Sequence, residues 1–308
     1  MERYPRIVAV VGPTAVGKSG LALQLAPEIG AEIVSADSRQ IYRYMDIGTA
    51  KATLAEQAAV RHYLIDLVEP DDTYSQERYG QEGTRVLLRL GALGRVALVV
   101  GGTGFYLRGL LDRPRLPRVS PNETLRSELR DEAGRLGSET LHDRLASIDP
   151  ESAARIHPRN LPRLIRALEI IDASGEPVPP APLNPLSALY LGISREPAEL
   201  RQIADRRVET QVRQGLVEET RVLLEMGYGP DLPAMQGFGY RHMVGYLEGR
   251  DTLAEAIDQY KQSTRQYIRR QMTWFRADPR VIWLQAGPDA ERSALQRIEP
   301  FLRDGLPT

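Results

Sequence analysis

The chain has 308 residues, with 40 basic and 41 acidic side chains and 42% hydrophobic residues. This composition is typical of a globular protein, large enough for one domain or for a core with an appendage. The absence of cysteine excludes disulfides, thiolate zinc sites and cysteine nucleophiles. The N-terminal apolar run, Ile7–Val11, is too short for a signal peptide or a membrane span, so we expect a cytoplasmic protein without membrane contact.

The sequence predicts an alternation of strands and helices in residues 1–117 and again near the C-terminus. Long helices are expected over 197–226 and 251–276. The predicted strands are short and apolar, and they lie at Ile7–Val11, Glu32–Ala36, Tyr63–Leu67, Val96–Val100, Ala188–Ile193 and Arg280–Leu284. Short apolar strands followed by helices favour an α/β class, with a parallel sheet flanked by helices.

Proline-rich passages bracket a region with a different pattern. They contain Pro114, Pro117 and Pro121 on one side and Pro177, Pro179, Pro180, Pro182 and Pro185 on the other. Prolines at this density interrupt helices and sheets. Between them the sequence predicts helices, one begun by a capping box at Ser120–Glu123 and one capped by Asn160. We therefore predict a helical insertion domain over 118–187 and a core domain formed by 1–117 and 188–308.

The segment after the first strand fits the phosphate-loop pattern G-x-x-x-x-G-K-[ST] at every fixed position. Its residues are Gly12, Pro13, Thr14, Ala15, Val16, Gly17, Lys18 and Ser19. A glycine-rich turn before a helix lets consecutive backbone N–H groups face one anion. Lys18 is expected to reach the terminal phosphates, and the Ser19 hydroxyl is expected to bind Mg²⁺. The sequence therefore predicts a P-loop NTPase-like core that binds a diphosphate or triphosphate group.

Two more polar residues are predicted at the carboxyl ends of strands, where ligands bind in open parallel sheets. Asp37 follows the second strand and could act as a general base, although an aspartate before a serine is also common in turns. Thr103 follows two glycines after the fourth strand, and its spacing fits a ligand contact and a simple tight turn equally well.

The usual metal-binding acid of a phosphate-loop nucleotidase is missing from the strongest apolar strand, Val96–Val100. Asp37 and Asp66 remain possible metal partners at other strand ends. This incomplete machinery suggests that the bound phosphate group is a leaving group on something other than a nucleotide.

Basic side chains cluster despite the balanced net charge. Gln259–Ala277 contains five basic residues and no acid, and Ala153–Leu168 contains four arginines and no acid. Both sets recur mostly at steps of three or four residues, which places much of each on one helical face. A charged face is usually only solvated, but two acid-free runs favour binding of a polyanion.

With these residues assembled, the chain resembles the tRNA dimethylallyltransferases, also called tRNA isopentenyltransferases, of the bacterial type. The resemblance runs from Gly12 to about Arg276. Besides the phosphate loop, it rests on Ser35–Ser38, Ile41–Arg43, Met45–Lys51, His62–Asp66, Val100–Gly104, Arg166–Glu169, Gly239–Tyr240 and Thr264–Arg276. One departure is Ile203, which replaces an arginine of the family, whereas Arg206 and Arg207 are kept.

The resemblance implies transfer of a dimethylallyl group from its diphosphate to N6 of the adenosine next to the anticodon of tRNA. It implies that Asp37 accepts the N6 proton, that Thr103 positions the reactants, and that Lys18 and the phosphate loop stabilise the leaving diphosphate. Arg207 is a possible further diphosphate ligand. The anticodon stem-loop would face Asp37, Ser38, Arg39, Gln40, Thr103, Arg126, Pro162, Arg163, Leu164, Ile165, Arg166, Arg265 and Arg269. We expect a monomer.

Three other functions share some of these features. A small-molecule or nucleotide kinase would use the same loop, with Asp37 as the base, but would not need two basic surfaces. An adenylate isopentenyltransferase, acting on free nucleotides, would not need the insertion. A non-catalytic RNA-binding module conflicts with the intact Lys18-Ser19 pair and the strand-end Asp37.

Overall fold

The computed structural model describes residues 4–113, 119–178 and 183–304. By its backbone contacts the chain divides into two compact units, one formed by Met1–Arg113 and Pro185–Thr308 and the other by Pro114–Asn184. The bracketing prolines Pro114, Pro117, Pro179, Pro180 and Pro182 lie outside the described residues. Across the described ranges, no helix combines the length and apolarity that crossing a membrane requires.

The larger unit is built on one parallel sheet of six strands. They are β1 (Ile7–Val11), β2 (Ala31–Ser35), β3 (His62–Tyr63), β4 (Val96–Gly101), β5 (Ala188–Ser194) and β6 (Val281–Gln285). Their order across the sheet is β3-β2-β4-β1-β5-β6, and every neighbouring pair is parallel. The predicted α/β class is confirmed.

Thirteen α-helices accompany the sheet in the described residues. Those of the larger unit are α1 (Lys18–Glu28), α2 (Leu54–Ala59), α3 (Gln76–Ala92), α4 (Gly104–Leu107), α9 (Pro197–Arg213), α10 (Leu216–Glu225), α11 (Phe238–Leu247), α12 (Leu253–Arg276) and α13 (Ala290–Asp304). Those of the smaller unit are α5 (Glu123–Leu136), α6 (Ser138–Ile148), α7 (Pro150–Arg155) and α8 (Leu161–Ser174).

Helices cover both faces of the sheet, which explains the continuous apolar strands. In β1, Ile7, Ala9 and Val11 belong to one hydrophobic cluster, whereas Val8 and Val10 belong to another. Successive side chains of a strand point to opposite faces, so each face of β1 supplies one of the two clusters. All five residues are fully buried.

Two predicted elements differ from the structure because the backbone adopts positive φ. The third strand was expected over 63–67, but Leu64 and Asp66 have φ values of 62° and 52°, and the chain leaves the sheet after Tyr63. The helix expected over 197–226 is interrupted before α10, where Gly215 has a φ of 106°. This is a conformation that glycine adopts without steric cost.

The predicted helix caps of the smaller unit also need correction. Asn122, not Ser120, caps α5, because its side chain accepts a hydrogen bond from the N–H of Leu125 at 3.1 Å. Asn160 occupies the N-cap position of α8, but its side chain makes no capping hydrogen bond.

The smaller unit has its own hydrophobic core and one buried carboxylate. The side chain of Glu169, on α8, is 1% exposed and lies between two arginines. Its Oε1 accepts a hydrogen bond from Nε of Arg126 at 2.8 Å, its Oε2 accepts one from Arg166, and the N–H of Asn122 adds a third at 2.7 Å. Burial alone would raise the pKa of Glu169, but these hydrogen bonds lower it overall. Glu169 therefore joins α5 to α8 as an ion.

We expect Glu169→Ala to destabilise the smaller unit by about 1–3 kcal/mol, because it removes the carboxylate that accepts from the N–H of Asn122 and from both arginines and leaves Arg126, of its ion pairs within the described residues, only the one to Glu123. Because the folded pKa of Glu169 is lowered, its contribution should be present above the unfolded pKa and lost as the pH falls through the folded pKa. Urea unfolding and hydrogen exchange of the α5 and α8 amides would measure the effect. Glu128→Ala, on the exposed side of α5, is the matched control; equal stability of both variants would contradict the expectation.

Candidate active site

The phosphate loop connects β1 to α1 at the carboxyl end of the sheet. Its two glycines have positive φ, 139° at Gly12 and 105° at Gly17. A Cβ atom at Gly12 would lie 2.7 Å from the carbonyl oxygen of Ile193 in β5, so the close approach of the two strands requires glycine there. The loop therefore has the shape that lets backbone N–H groups face an anion.

Lys18 lies at the start of α1 and points back over this loop. Its Nζ donates a hydrogen bond to the carbonyl oxygen of Pro13 at 2.6 Å. Burial lowers the pKa of Lys18 to about 7, a shift that the negative charge of Asp37 opposes and the positive charge of Arg207 increases. These three predicted site residues are thus close enough to affect one another electrostatically.

Asp37 follows β2 and lines the same cavity as Lys18. Its Oδ1 accepts a hydrogen bond from the N–H of Arg39 at 2.9 Å, which is the turn interaction considered as an alternative role. The two roles are compatible, because this bond fixes the orientation of a carboxylate that lines the cavity.

Thr103 joins the ends of β2 and β4. Its hydroxyl oxygen accepts a hydrogen bond from the N–H of Ser38 at 3.0 Å and lies 3.3 Å from the Ser38 hydroxyl oxygen. The N–H of Thr103 donates to the carbonyl oxygen of Ala36 at 3.1 Å. Ser38 lines the cavity, and Thr103 contacts both its N–H and its hydroxyl group. Thr103 is therefore placed to position the segment that bears Asp37.

Gln271 connects the phosphate loop to the end of β4, a role that the sequence alone did not predict. Its Oε1 accepts a hydrogen bond from the N–H of Thr14 at 2.9 Å, and its Nε2 donates one to the carbonyl oxygen of Gly102 at 2.9 Å. The side chain is only 5% exposed. A Cβ atom at Gly102 would lie 2.2 Å from Nε2, so the glycine directly after β4 makes room for this amide. The one feature of the sequence that pointed to Gln271 is its position in the family-like segment Thr264–Arg276. In that segment only the basic residues were interpreted, as a site for a polyanion.

These elements surround one cavity of about 320 Å³ within the larger unit. Its lining includes Lys18, Ser19, Asp37 and Arg207, together with several side chains of α12. The predicted anion ligands and the predicted base thus lie in one space.

A loop after β2 forms another wall of this cavity, and Glu219 of α10 holds it in place. The Glu219 carboxylate accepts hydrogen bonds from the N–H groups of Asp46, Ile47 and Gly48 at 3.0, 2.8 and 3.0 Å. It also accepts one from the hydroxyl of Tyr240 at 2.7 Å. Gly48 lines the cavity, and a Cβ atom there would lie 2.6 Å from the Tyr240 ring. No pattern in the sequence indicated this role of Glu219.

Within the part of the chain that the structure describes, the acidic side chains are not grouped as a metal site. Asp66, considered as a metal partner, instead accepts a hydrogen bond from Nζ of Lys51 at 2.5 Å, and Asp46 accepts one at 2.6 Å. Throughout the described ranges, no group of three or more His, Cys, Asp or Glu side chains is arranged to hold a metal. Ser19 and Asp37 provide oxygen atoms in the cavity.

The basic residues of α12 fall into two groups. Nearer its start, Nζ of Lys261 lies 2.7 Å from Glu209, and Nε of Arg265 lies 2.8 Å from Asp205, so α9 compensates both charges. Farther along, Arg269 and Arg270 are exposed, and no carboxylate of the described residues lies within 4.0 Å of either.

The predicted RNA-facing residues of the smaller unit also divide. The two arginines that bind Glu169 use their charge inside the unit. Leu164 and Ile165 are 0% and 6% exposed, and their side chains pack in its hydrophobic core and not at its surface. Pro162 and Arg163 are exposed.

A family model described as IPP transferase matches residues 40–278 of the chain. The chain belongs to the IPP transferase family. It is 46% identical over 304 residues to the tRNA dimethylallyltransferase of Roseiflexus sp. (strain RS-1). This match covers 96% of this chain and 98% of the relative. The chain is 44% identical over 310 residues to the tRNA dimethylallyltransferase of Thermomicrobium roseum, covering 99% and 94%.

A solved structure of a tRNA isopentenylpyrophosphate transferase from Bacillus halodurans is 37% identical to the chain, with a TM-score of 0.74 and 97% of each chain covered. The resemblance seen in the sequence is thereby confirmed. In this IPP transferase, Thr103, Arg207 and Gln271 lie within the residues that match the family model, whereas the phosphate loop and Asp37 precede them.

We expect Gln271→Met to lower the free energy of unfolding by about 1–3 kcal/mol, because it leaves the N–H of Thr14 and the carbonyl of Gly102 without partners. The displaced loop should also bind diphosphate more weakly. Urea unfolding and calorimetric titration with inorganic diphosphate would measure the two effects. Gln266→Met, at an exposed position of the same helix, is the matched control; a Gln271 variant that behaves like this control would contradict the bridging role.

The affinity for diphosphate should depend on pH through Lys18. Because the pKa of Lys18 is lowered to about 7 and a bound anion favours the protonated amine, binding above that pH should take up a proton. We therefore expect the association constant to fall by up to about tenfold per pH unit above about pH 7. Calorimetry in two buffers of different ionisation enthalpy would measure the proton uptake. Lys18→Arg, whose side chain stays protonated, should lose this dependence; the same dependence in both proteins would assign the titration to another group.

Proposed function

We propose that the protein transfers a dimethylallyl group from dimethylallyl diphosphate to N6 of the adenosine next to the anticodon in tRNA, with release of diphosphate. The observation that supports this best is the shared cavity, in which an anion-binding loop with Lys18 and Arg207 lies beside the carboxylate of Asp37. The tRNA dimethylallyltransferases to which the chain is similar bear the name of this reaction.

The leaving group accounts for the phosphate loop. As the bond between the allylic carbon and the diphosphate oxygen breaks, negative charge grows on the diphosphate and positive charge spreads over the allyl group. Amide groups of the loop would stabilise the leaving anion together with Lys18 and Arg207, which line the cavity. The N–H of Thr14 is excepted, because Gln271 already accepts its hydrogen bond.

The acceptor accounts for Asp37. The exocyclic amine of adenine is a weak nucleophile, so it must be oriented and must lose a proton as the new bond between nitrogen and carbon forms. The carboxylate of Asp37, held by the N–H of Arg39, would accept that proton. Thr103 would act through Ser38, by fixing the backbone on which Asp37 lies.

A bound Mg²⁺ would fit this cavity, because magnesium in proteins binds few side-chain oxygens and is completed by water and substrate phosphates. The Ser19 hydroxyl, at the start of α1, would hold it together with the diphosphate. When bound, the ion supplies positive charge that neutralises the leaving group.

The RNA would bind to surfaces that carry uncompensated positive charge. Arg269 and Arg270 of α12 provide such charge in the larger unit, and Arg163 is exposed in the smaller unit. An adenine inside a stacked loop must leave the stack to enter the cavity. We propose that the active protein is a monomer and that it works in the cytoplasm, where tRNA is found.

The function can be tested with unmodified tRNA and either dimethylallyl diphosphate labelled in the prenyl group or ATP labelled at the γ-phosphate. We expect label from the prenyl group to reach the RNA. Asp37→Asn should lower kcat by about 10²–10⁴-fold, the usual contribution of a general base, and should leave the affinity for tRNA nearly unchanged. Asp72→Asn, at an exposed position, is the matched control. Transfer of the ATP label instead would contradict the proposal, and equal loss of binding and transfer in Asp37→Asn would make Asp37 structural.

A further inference from the structure

Two aromatic side chains and two arginines lie together at the edge of the cavity. Phe238 begins α11 and Tyr267 lies on α12, with ring centroids 5.4 Å apart in an edge-on arrangement. The guanidinium carbon of Arg241 lies 5.8 Å from the centroid of the Phe238 ring, and that of Arg270 lies 5.7 Å from the centroid of the Tyr267 ring. We call these four residues the aromatic rim.

The aromatic rim adjoins the groups to which the reaction is assigned. Phe238 and Tyr267 both line the cavity that contains Lys18 and Asp37. Burial, together with the negative charge of Asp37, raises the pKa of the Tyr267 hydroxyl to about 12, although a hydrogen bond with Thr103 opposes this shift. Tyr267 therefore stays neutral at physiological pH, and its hydroxyl contacts Thr103 close to Asp37.

The two guanidinium groups of the aromatic rim are available to bind an anionic partner. Arg241 and Arg270 are exposed, and among the described residues no carboxylate lies within 4.0 Å of either guanidinium. Nη2 of Arg241 lies 3.4 Å from two neutral groups, Nε2 of the His242 ring and the hydroxyl oxygen of Ser263. By contrast, Lys261 and Arg265, on the same helix as Arg270, form ion pairs with acidic side chains of α9.

We propose that the aromatic rim stacks on the adenine of the substrate RNA as that base enters the cavity, while Arg241 and Arg270 bind phosphates on either side of it. This inference rests on the proposed function. Proteins that hold unstacked bases interleave aromatic rings with cations, because every base offers a flat face and every nucleotide a negative charge. A base stacked on Phe238 or Tyr267 would lie beside the segment that holds Asp37.

Two other occupants fit these four residues less well. Packing of α11 on α12 would account for the two rings, but it needs no exposed arginine against either ring. A prenyl group prefers a wall without polar atoms, whereas the Tyr267 hydroxyl and two guanidinium groups lie within the rim.

The test measures whether the rim recognises a base. Dissociation constants would be determined for the wild-type protein with two anticodon stem-loop RNAs, one with the reacting adenosine and one with an abasic nucleotide in its place. Phe238→Leu and Tyr267→Leu remove the flat ring but keep apolar bulk, and Tyr267→Phe keeps the ring. Tyr44→Leu, at an exposed tyrosine that stacks on Tyr228 outside the cavity lining, is the matched control.

We expect each leucine variant of the rim to weaken binding of the adenosine RNA by about 5- to 150-fold, the range measured when an aromatic partner of one base is removed. Binding of the abasic RNA should stay nearly unchanged, because no base is there to stack. Tyr267→Phe should retain the preference for adenosine, and Tyr44→Leu should behave like the wild type.

Equal losses on both RNAs, or no loss on either, would overturn the proposal, because a merely structural rim cannot sense the missing base. A rise in the KM for dimethylallyl diphosphate without a change in RNA affinity would overturn it as well and would assign the rim to the prenyl group. Label transfer from dimethylallyl diphosphate by the same wild-type preparation separates the two proposals: its absence would refute the proposed function, whereas the binding comparison alone decides the role of the rim.

Discussion

One amide group, that of Gln271, holds the two halves of the site in register. The phosphate loop and the segment after β4 each end a different strand, and no backbone hydrogen bond between β1 and β4 extends past Val11 and Gly101. Gln271 supplies the missing connection, accepting from Thr14 and donating to Gly102. Since it uses its oxygen on one side and its nitrogen on the other, the amide has only one orientation that satisfies both partners.

The position of Gln271 depends in turn on the whole of α12. A capping box between Thr252 and Glu255 begins this helix, and Trp274 fixes its far end against Gly104, where a Cβ atom would lie 2.1 Å from the indole nitrogen. Along one side, α9 supplies Asp205 and Glu209 to pair with its basic residues. The same α9 directs Arg207 into the cavity. The ion pairs between α9 and α12 therefore determine which basic side chains remain available to bind phosphate.

The sequence predicted those parts of the site whose geometry is local. The phosphate loop and Asp37 each follow a strand directly, and the parallel order of β1, β2 and β4 brings them together without further information. Gln271 lies 257 residues from Thr14, and Glu219 lies 173 residues from Asp46, so no periodicity or spacing links them. Arg265 and Arg166 show a related limit of sequence, because an acid-free run does not reveal the carboxylates outside the run with which these arginines pair.

One face of α12 bears both a ring of the proposed base contact and the amide that holds the phosphate loop. Tyr260, Thr264, Tyr267 and Gln271 all line the cavity, and their spacing of four, three and four residues places them on a single helical stripe. Because this stripe contains both the ring of the aromatic rim and the amide that positions the phosphate loop, a rotation of α12 would displace acceptor and leaving group together. The two substrates of a transfer reaction must meet in a fixed orientation. A single helix that contributes to both sides of the cavity is a direct physical means of keeping that orientation.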